Sequence, residues 1–269
     1  MSVLSPSRQP AAFDAAAAWS YLLAVGQGTE APLPSAIEPE ARQFLDLYLD
    51  FARAGAERPM VLAHLGQSLD GRIATRTGDS YYINGPENID HLHRMRALAD
   101  AVIVGAGTVR KDDAQQTTRR VAGPNPVRVV IDPRRSLDGE RRLFADDGVK
   151  VIVVCADETV ATARRLPAHV EIVGLPLQKD RLAPRAVVDA LFARGLYRLF
   201  VEGGGDTVSG FLAAGCLQRL QIAVAPLILG SGRHGLELPP IVRLSEAKRL
   251  NWRLFAMGED ILFDCDFRS

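Results

Sequence analysis

The stretch Val201-Glu202-Gly203-Gly204-Gly205-Asp206-Thr207 constrains this chain more than any other. Leu196, Leu199, Phe200 and Val201 lead into it as an apolar strand interrupted by Tyr197 and Arg198. Ser209, Phe211, Leu212, Ala213 and Ala214 follow in a helical pattern that Gly215 stops. The expected order is therefore strand, glycine turn, helix. Such a turn presents bare backbone N–H groups at a helix N-terminus, where the partial positive charge favours a phosphate. Glu202 stands at the strand's exit, so an anion cradle beside a carboxylate points to a nucleotide cofactor next to chemistry. The glycines match neither G-x-G-x-x-G nor G-x-x-x-x-G-K-[ST]. An ordinary tight connection with a solvated Glu202 is the competing reading.

At 269 residues with 47% hydrophobic content, the chain has ample material for a buried core. Lys plus Arg equals Asp plus Glu, 32 against 32, so no general attraction to nucleic acid or anionic lipid is expected. No apolar run approaches the roughly 20 residues that span a bilayer. The N-terminal segment carries prolines and charges rather than a secretory signal's apolar core. Cys155, Cys216 and Cys265 are widely spaced among apolar neighbours, and the histidines form no H-E-x-x-H. Buried thiols, a reducing cytoplasm and no metal are the expectations.

Along the chain, residues 1–57 form a helical extension. Ala11 to Val25 and Glu38 to Ala54 read as helices around a Gly/Pro/Ser-rich linker. The body, 58–269, alternates short strands with helices. Strands are expected at Met60–Leu65, Ala101–Val104, Val127–Ile131, Val149–Cys155, Val170–Val173 and Leu220–Ala225. Helices are expected at Gly85–Asp100, Glu158–Leu166 and Pro184–Arg194. Trp252–Met257 and Ile261–Phe267 read as a closing antiparallel hairpin. This pattern predicts an α/β fold with a mixed, mostly parallel sheet.

Four polar or glycine turns each follow one of these strands. Ser68-Leu69-Asp70-Gly71-Arg72 follows the first, and for Asp70 a turn-forming role is favoured. Gly105, Gly107, Thr108 and Asp112 follow the second, where glycines let a ligand approach the backbone. Asp132-Pro133-Arg134-Arg135 follows the third; an arginine there suits a 2′-phosphate and so NADP over NAD. The opening glycine turn is the fourth. Arginines 94, 96, 119 and 120 are read either as phosphate contacts or as exposed charges. In a parallel sheet all four turns would share one edge, which is what raises a dinucleotide site above coincidence.

With these motifs in order, the chain resembles a known family. SLDGRIA (68–74), Gly78-Asp79 followed by YYIN, RMRALADAVIVGAGTVRKDD (94–113), PVRVVID (126–132), VEGGGDT (201–207), FLAAG (211–215) and APLILG (225–230) resemble the reductase half of the bacterial bifunctional deaminase–reductase of riboflavin synthesis. The resemblance implies a dihydrofolate-reductase-like fold and a cytoplasmic homodimer. It implies NADPH-dependent reduction of a phosphoribosylaminopyrimidine, 5-amino-6-(5-phosphoribosylamino)uracil. Residues 1–57 carry none of the family's zinc-deaminase motifs, so a reductase without deaminase activity is expected.

Carried over by position, the resemblance places Gly66, Tyr82, Thr108 and Asp112 at the cofactor and Gly204 to Ser209 at its pyrophosphate. Ser80, Arg96, Gln116, Arg119 and Glu202 fall on substrate positions. The expected cofactor set thus comprises Gly66, Tyr82, Gly105, Gly107, Thr108, Asp112, Asp132, Arg134, Gly203, Gly204, Gly205, Asp206 and Thr207. Glu202 and His64 are the expected catalytic residues, with Arg96 and Arg119 engaging the phosphate and His64 or a water assisting protonation. His64 stands where the family usually has lysine. Tyr82 replaces a tryptophan and Asn84 a threonine, while D-D-P-x-L-T becomes Asp112-Asp113-Ala114-Gln115-Gln116-Thr117. These departures leave open a reductase of another heterocycle, such as a dihydropterin, or a non-catalytic nucleotide-binding protein.

Overall fold

The computed structural model describes residues 13–81, 83–161 and 166–268. The chain divides into two compact units, 1–53 and 54–269. In the first, α1 (Ala15–Gly26) starts at Asp14, whose carboxylate accepts from Ala17 N at 2.8 Å. That contact satisfies one of the N–H groups a helix start leaves open. Pro39 opens α2 (Pro39–Ala52), where its missing N–H costs nothing. Trp19 of α1 meets the Tyr48 ring edge-on at 6.1 Å. Glu30 accepts from Tyr21 Oη and Arg53 Nε.

The second unit is built on one nine-stranded sheet. Its strands are β1 (Met60–Ser68), β3 (Ala101–Gly105), β4 (Val127–Ile131), β5 (Val151–Ala156), β6 (Val170–Leu175), β9 (Arg198–Glu202), β10 (Arg219–Ala225), β12 (Asn251–Met257) and β13 (Asp260–Asp266). The order is β12-β13-β10-β1-β9-β3-β4-β5-β6. Strands β10 through β6 pair in parallel, and β13 returns antiparallel to both β10 and β12. This is the mixed, mostly parallel sheet with a closing hairpin that the sequence predicts. Two short pairs lie outside it: β2 (Arg72–Thr75) with β11 (Gly232–His234), and β7 (Leu177–Gln178) with β8 (Arg181–Leu182).

Strand alternation decides what each face carries. Val61, Ala63 and Leu65 of β1 and Leu199 and Val201 of β9 join Val187, Leu191, Val208 and Phe211 in one buried cluster. The last four come from α5 (Pro184–Phe192) and α6 (Gly205–Ala213). The intervening residues Leu62 and His64 of β1 and Phe200 and Glu202 of β9 face the other way. Over that face lies α3 (Pro86–Leu98), which opens on a proline and buries Asn88, His91 and His93.

Two expectations differ from the fold in an informative way. Residues 106–112 form a short helix, α4 (Ala106–Asp112), rather than a surface loop, with Gly105 as its N-cap. Only a 3₁₀ turn, Asp157–Thr159, forms at the start of the helix expected over 158–166; part of that helix lies outside the described residues, as does the start of the one expected at Ala11.

Paired strands align a polar row across the sheet: Glu202 of β9 opposite His64 of β1, His64 opposite Gln221 of β10, and Gln221 opposite Asp264 of β13. From α3, Asn88 Oδ1 lies 3.0 Å from His64 Nε2, and His91 Nε2 lies 2.9 Å from Gln221 Oε1. Gln221 Nε2 donates to Asp264, which also pairs with Arg219 and Arg253. Burial pushes His64 down to about 4, opposed by the nearby Glu202 carboxylate and the Asn88 hydrogen bond, with smaller opposite effects from Arg96 and Asp260. Burial and the adjacent His64 hold His91 well below the usual histidine range. His93 falls to about 4 through burial and then Arg96 and Arg119.

Two stability outcomes follow. Above pH 6.5 these rings are neutral in both folded and unfolded chains. Below it the unfolded chain takes up protons that native His64 refuses until about pH 4, so stability falls across that window. For His64 alone the loss is roughly 3 kcal/mol. Urea midpoints that stay constant from neutral pH down to pH 4 would contradict this. A Cβ on Gly205 would lie 2.3 Å from the Gly235 carbonyl oxygen and 2.9 Å from that of His234. Both are backbone atoms with little freedom to yield, so Gly205→Ala should cost about 1–3 kcal/mol, read as a lower melting temperature.

Candidate active site

A cleft of about 340 Å³ opens at the carboxyl ends of β1, β9 and β3. This is where an open parallel sheet places its ligands. Strand β1 contributes His64, Leu65 and Gly66 to the wall, α4 contributes Gly107, Thr108, Lys111 and Asp112, and the β9 exit contributes Glu202, Gly203 and Gly204. Ser80, Asn84, Asn88, Gln116 and Arg233 complete its polar surface. Parallel register brings two of the four anticipated turns, those after β3 and β9, to one rim.

Local packing explains the glycines. A Cβ on Gly105 would fall 2.6 Å from Thr207 Oγ1, and one on Gly203 would fall 3.2 Å from Thr207 Cβ. The threonine therefore fills the seam between the β3 and β9 turns. Across the same seam Gly204 N donates to Thr108 Oγ1 at 3.2 Å. Among the described residues no side chain caps α6, whose N-terminus opens at Gly204. Among the described residues, a Cβ on Gly107 would meet no atom within 4 Å, so that position keeps the wall clear rather than serving packing. At Gly66 a Cβ would lie 1.9 Å from Asn84 Oδ1. This glycine admits Asn84, which reaches Ala223 O at 3.3 Å.

Glu202 is held by Arg96. Nε donates to Oε2 at 2.7 Å, and Nη2 donates to Oε1. Arg96 Nη1 donates to the Thr117 carbonyl at 3.1 Å. The two side chains are 8% and 15% exposed, so each charge has its counterpart close by in a largely dry setting. Arg96, expected as a phosphate contact, is thus committed behind the carboxylate and is absent from the cleft wall. It positions Glu202 and the Thr117 loop.

His64 lines the cleft as a neutral ring. An amide oxygen only accepts, so the bond to Asn88 Oδ1 assigns the proton to Nε2 and leaves Nδ1 as an acceptor. In that state the one ring N–H is already engaged with Asn88, which revises the expectation that the ring donates a proton.

Other anticipated residues sit elsewhere. Asp132 closes its own turn, accepting from Ser136 Oγ and Leu137 N, both at 2.9 Å, and it is not part of the cleft wall. Arg134 is exposed beyond β4, and Asp206 is exposed in the first turn of α6. Arg119 lies outside the wall and donates from Nη1 to Thr117 Oγ1 at 3.2 Å. Asp70 accepts from Ser68 Oγ, Leu229 N and Gly230 N, the turn role read from sequence, and these bonds hold its carboxyl down to about 2. Tyr82 lies outside the described residues.

Lys111 and Arg233 are cleft cations that the sequence reading did not single out. Lys111 sits one turn along α4 from Gly107, with Nζ 3.5 Å from Ser80 Oγ. A helix starting at Gly105 would have exposed it as a neighbour of Thr108. Arg233 arrives through the β2–β11 pairing, which no local motif announces. Burial raises the Asp112 carboxyl above its ordinary range despite Lys111 beside it.

Comparison with known proteins agrees with this geometry. The RibD C-terminal domain model matches residues 59–261. A 2,5-diamino-6-ribosylamino-4(3H)-pyrimidinone 5′-phosphate reductase from Methanothermobacter thermautotrophicus is 32% identical over 214 residues, covering 77% of this chain and 97% of the relative. The riboflavin biosynthesis protein RibD of Aquifex aeolicus is 32% identical over 196 residues, 72% of this chain and 53% of that protein. The crystal structure of a Thermotoga maritima diaminohydroxyphosphoribosylaminopyrimidine deaminase/5-amino-6-(5-phosphoribosylamino)uracil reductase superimposes with a TM-score of 0.66 at 27% identity, covering 89% of this chain and 64% of that one. The chain therefore spans about half to two thirds of those two longer proteins. By family match, identity and sheet architecture, this chain belongs to the RibD C-terminal domain family.

Proposed function

We propose that this chain is an NADPH-dependent reductase of a 5′-phosphorylated ribosylaminopyrimidine in riboflavin biosynthesis. One observation carries the reading: a glycine-lined helix entrance and an Arg96-held carboxylate, Glu202, line one cleft at the carboxyl edge of a parallel sheet. The Methanothermobacter and Thermotoga relatives, named for such reductions, support the substrate class.

The residues present fit a dinucleotide. The uncapped start of α6, the turn Gly203-Gly204-Gly205, the Thr108 hydroxyl and the clear surface at Gly107 would hold its phosphates. When bound, a reduced nicotinamide supplies the hydride, and the ring-opened imine carbon of the substrate's sugar accepts it. Arg134, exposed on the same sheet edge after β4, suits a 2′-phosphate and favours NADPH over NADH.

Glu202, fixed by the Arg96 fork, accepts from the pyrimidine's ring N–H and amino groups and orients the base. Lys111, Arg233 and Ser80 offer cations and a hydroxyl for the 5′-phosphate, the role first read onto Arg96 and Arg119. Neutral His64 accepts a hydrogen bond through Nδ1. Bound water carries the amine's proton to the sugar oxygen as the ring opens to the imine and returns a proton to that nitrogen when hydride adds to carbon, because the ring proton of His64 is engaged with Asn88.

Consumption of NADPH with a ribosylaminopyrimidine 5′-phosphate tests the assignment directly; a protein that binds NADPH yet reduces no such substrate would refute it. Glu202→Gln should lower kcat/KM by about 100-fold while changing the NADPH Kd by less than about threefold. Folding is checked by circular dichroism, since the change leaves Arg96 without its counter-charge. Unchanged turnover would remove Glu202 from the mechanism. Gly107→Ala should leave the melting temperature unchanged or higher yet weaken NADPH binding by about tenfold.

A further inference from the structure

Gln116 stands on the wall of this cleft in an incomplete state. It is 3% exposed, and its Oε1 has no hydrogen-bond partner among the described residues. Its backbone lies at φ 56°, in the left-handed region that disfavours a side chain. An unpaired buried acceptor and a strained backbone each cost free energy, and they coincide where a bound ligand completes the site. The next residue, Thr117, accepts from Arg96 through its carbonyl, and the same guanidinium grips Glu202. One side chain therefore ties the Gln116 loop to the Glu202 strand, and both residues line the cleft.

We propose that Gln116 reads the substituent at position 2 of the substrate's pyrimidine and selects a 2-amino over a 2-oxo ring. This rests on the reductase reading of the same cleft. Glu202 and Gln116 Oε1 are both acceptors. A 2-amino-4-pyrimidinone presents its ring N3–H and its 2-amino group side by side, two donors for two acceptors. In a uracil, N3–H has a carbonyl oxygen on either side. Placed against the same pair it leaves Oε1 unpaired and sets oxygen against oxygen. A site that hydrogen-bonds a substrate N–H rejects the analogue lacking it, because its own buried group is then stranded. In the family motif a leucine stands where this chain has Gln116, so the amide is a feature of this chain.

The experiment measures kcat/KM for both forms of the ribosylaminopyrimidine 5′-phosphate with wild type and three variants. Wild type should prefer the 2-amino form by at least about tenfold. Gln116→Glu, also an acceptor, should keep that preference. Gln116→Asn tolerates the left-handed backbone and withdraws the amide by one methylene. It should lose the preference, chiefly through the 2-amino substrate, and Gln116→Leu should behave alike if it folds. A wild type without preference, or Gln116→Asn slowing both substrates equally, overturns the assignment while the reductase reading stands, since substrate is still reduced. Reduction of neither form by wild type overturns both.

Discussion

The parallel hydrogen-bonded register of β1, β9 and β3 is the constraint on which the site depends. It sets His64 opposite Glu202 and Ile103 opposite Val201, so the exits of three strands emerge at one edge. A slip of one residue would turn Glu202 and His64 to the opposite face, into the cluster of Val61, Val201 and Val208. Thr207, packed between Gly105 and Gly203, and the Thr108–Gly204 hydrogen bond continue that register into the turns. The glycines serve two ends. Some admit a neighbouring side chain, and Gly107 leaves the wall bare.

The α3 face of the sheet is polar to an unusual degree, and its chemistry follows from burial. A buried charge needs a close counter-charge, and Arg96 with Glu202 meets that demand in a two-pronged contact. Histidine has another course, since it becomes neutral. His64, His91 and His93 all do so, and their ring nitrogens then serve as specific donors or acceptors to Asn88, Gln221 and the Arg119 amide. His64 brings no fixed positive charge to the cleft, unlike the lysine expected at that position in the family. Lys111 and Arg233 supply positive charge there instead.

Much of the framework is legible in the chain. Val127–Ile131 is bounded as its apolar run predicts, and the strand–glycine turn–helix at 198–213 forms as read. These signals are local: alternation, proline at helix starts and glycine at stops. Where the reading departs from the molecule, the missing information is long-range. The Asp132 turn looked like a ligand loop, yet its carboxylate is consumed by residues four and five positions on. Arg96 looked like a free cation because nothing nearby in sequence shows that Glu202, 106 residues away, would claim it. The short α4 is hidden in the sequence because Gly107 and the N-cap Gly105 read as loop.

The sequence alone determined that strands and helices alternate, that glycine turns follow several of the strands, and that a carboxylate stands beside one of them. These are consequences of side-chain periodicity and backbone freedom within a dozen residues. Only the tertiary structure decided which turns meet, which arginine is neutralised, and that Gln116 is buried with its oxygen unpaired. Those outcomes depend on strand register and burial, which bring distant residues within hydrogen-bond reach and set the cost of leaving any one of them unmatched.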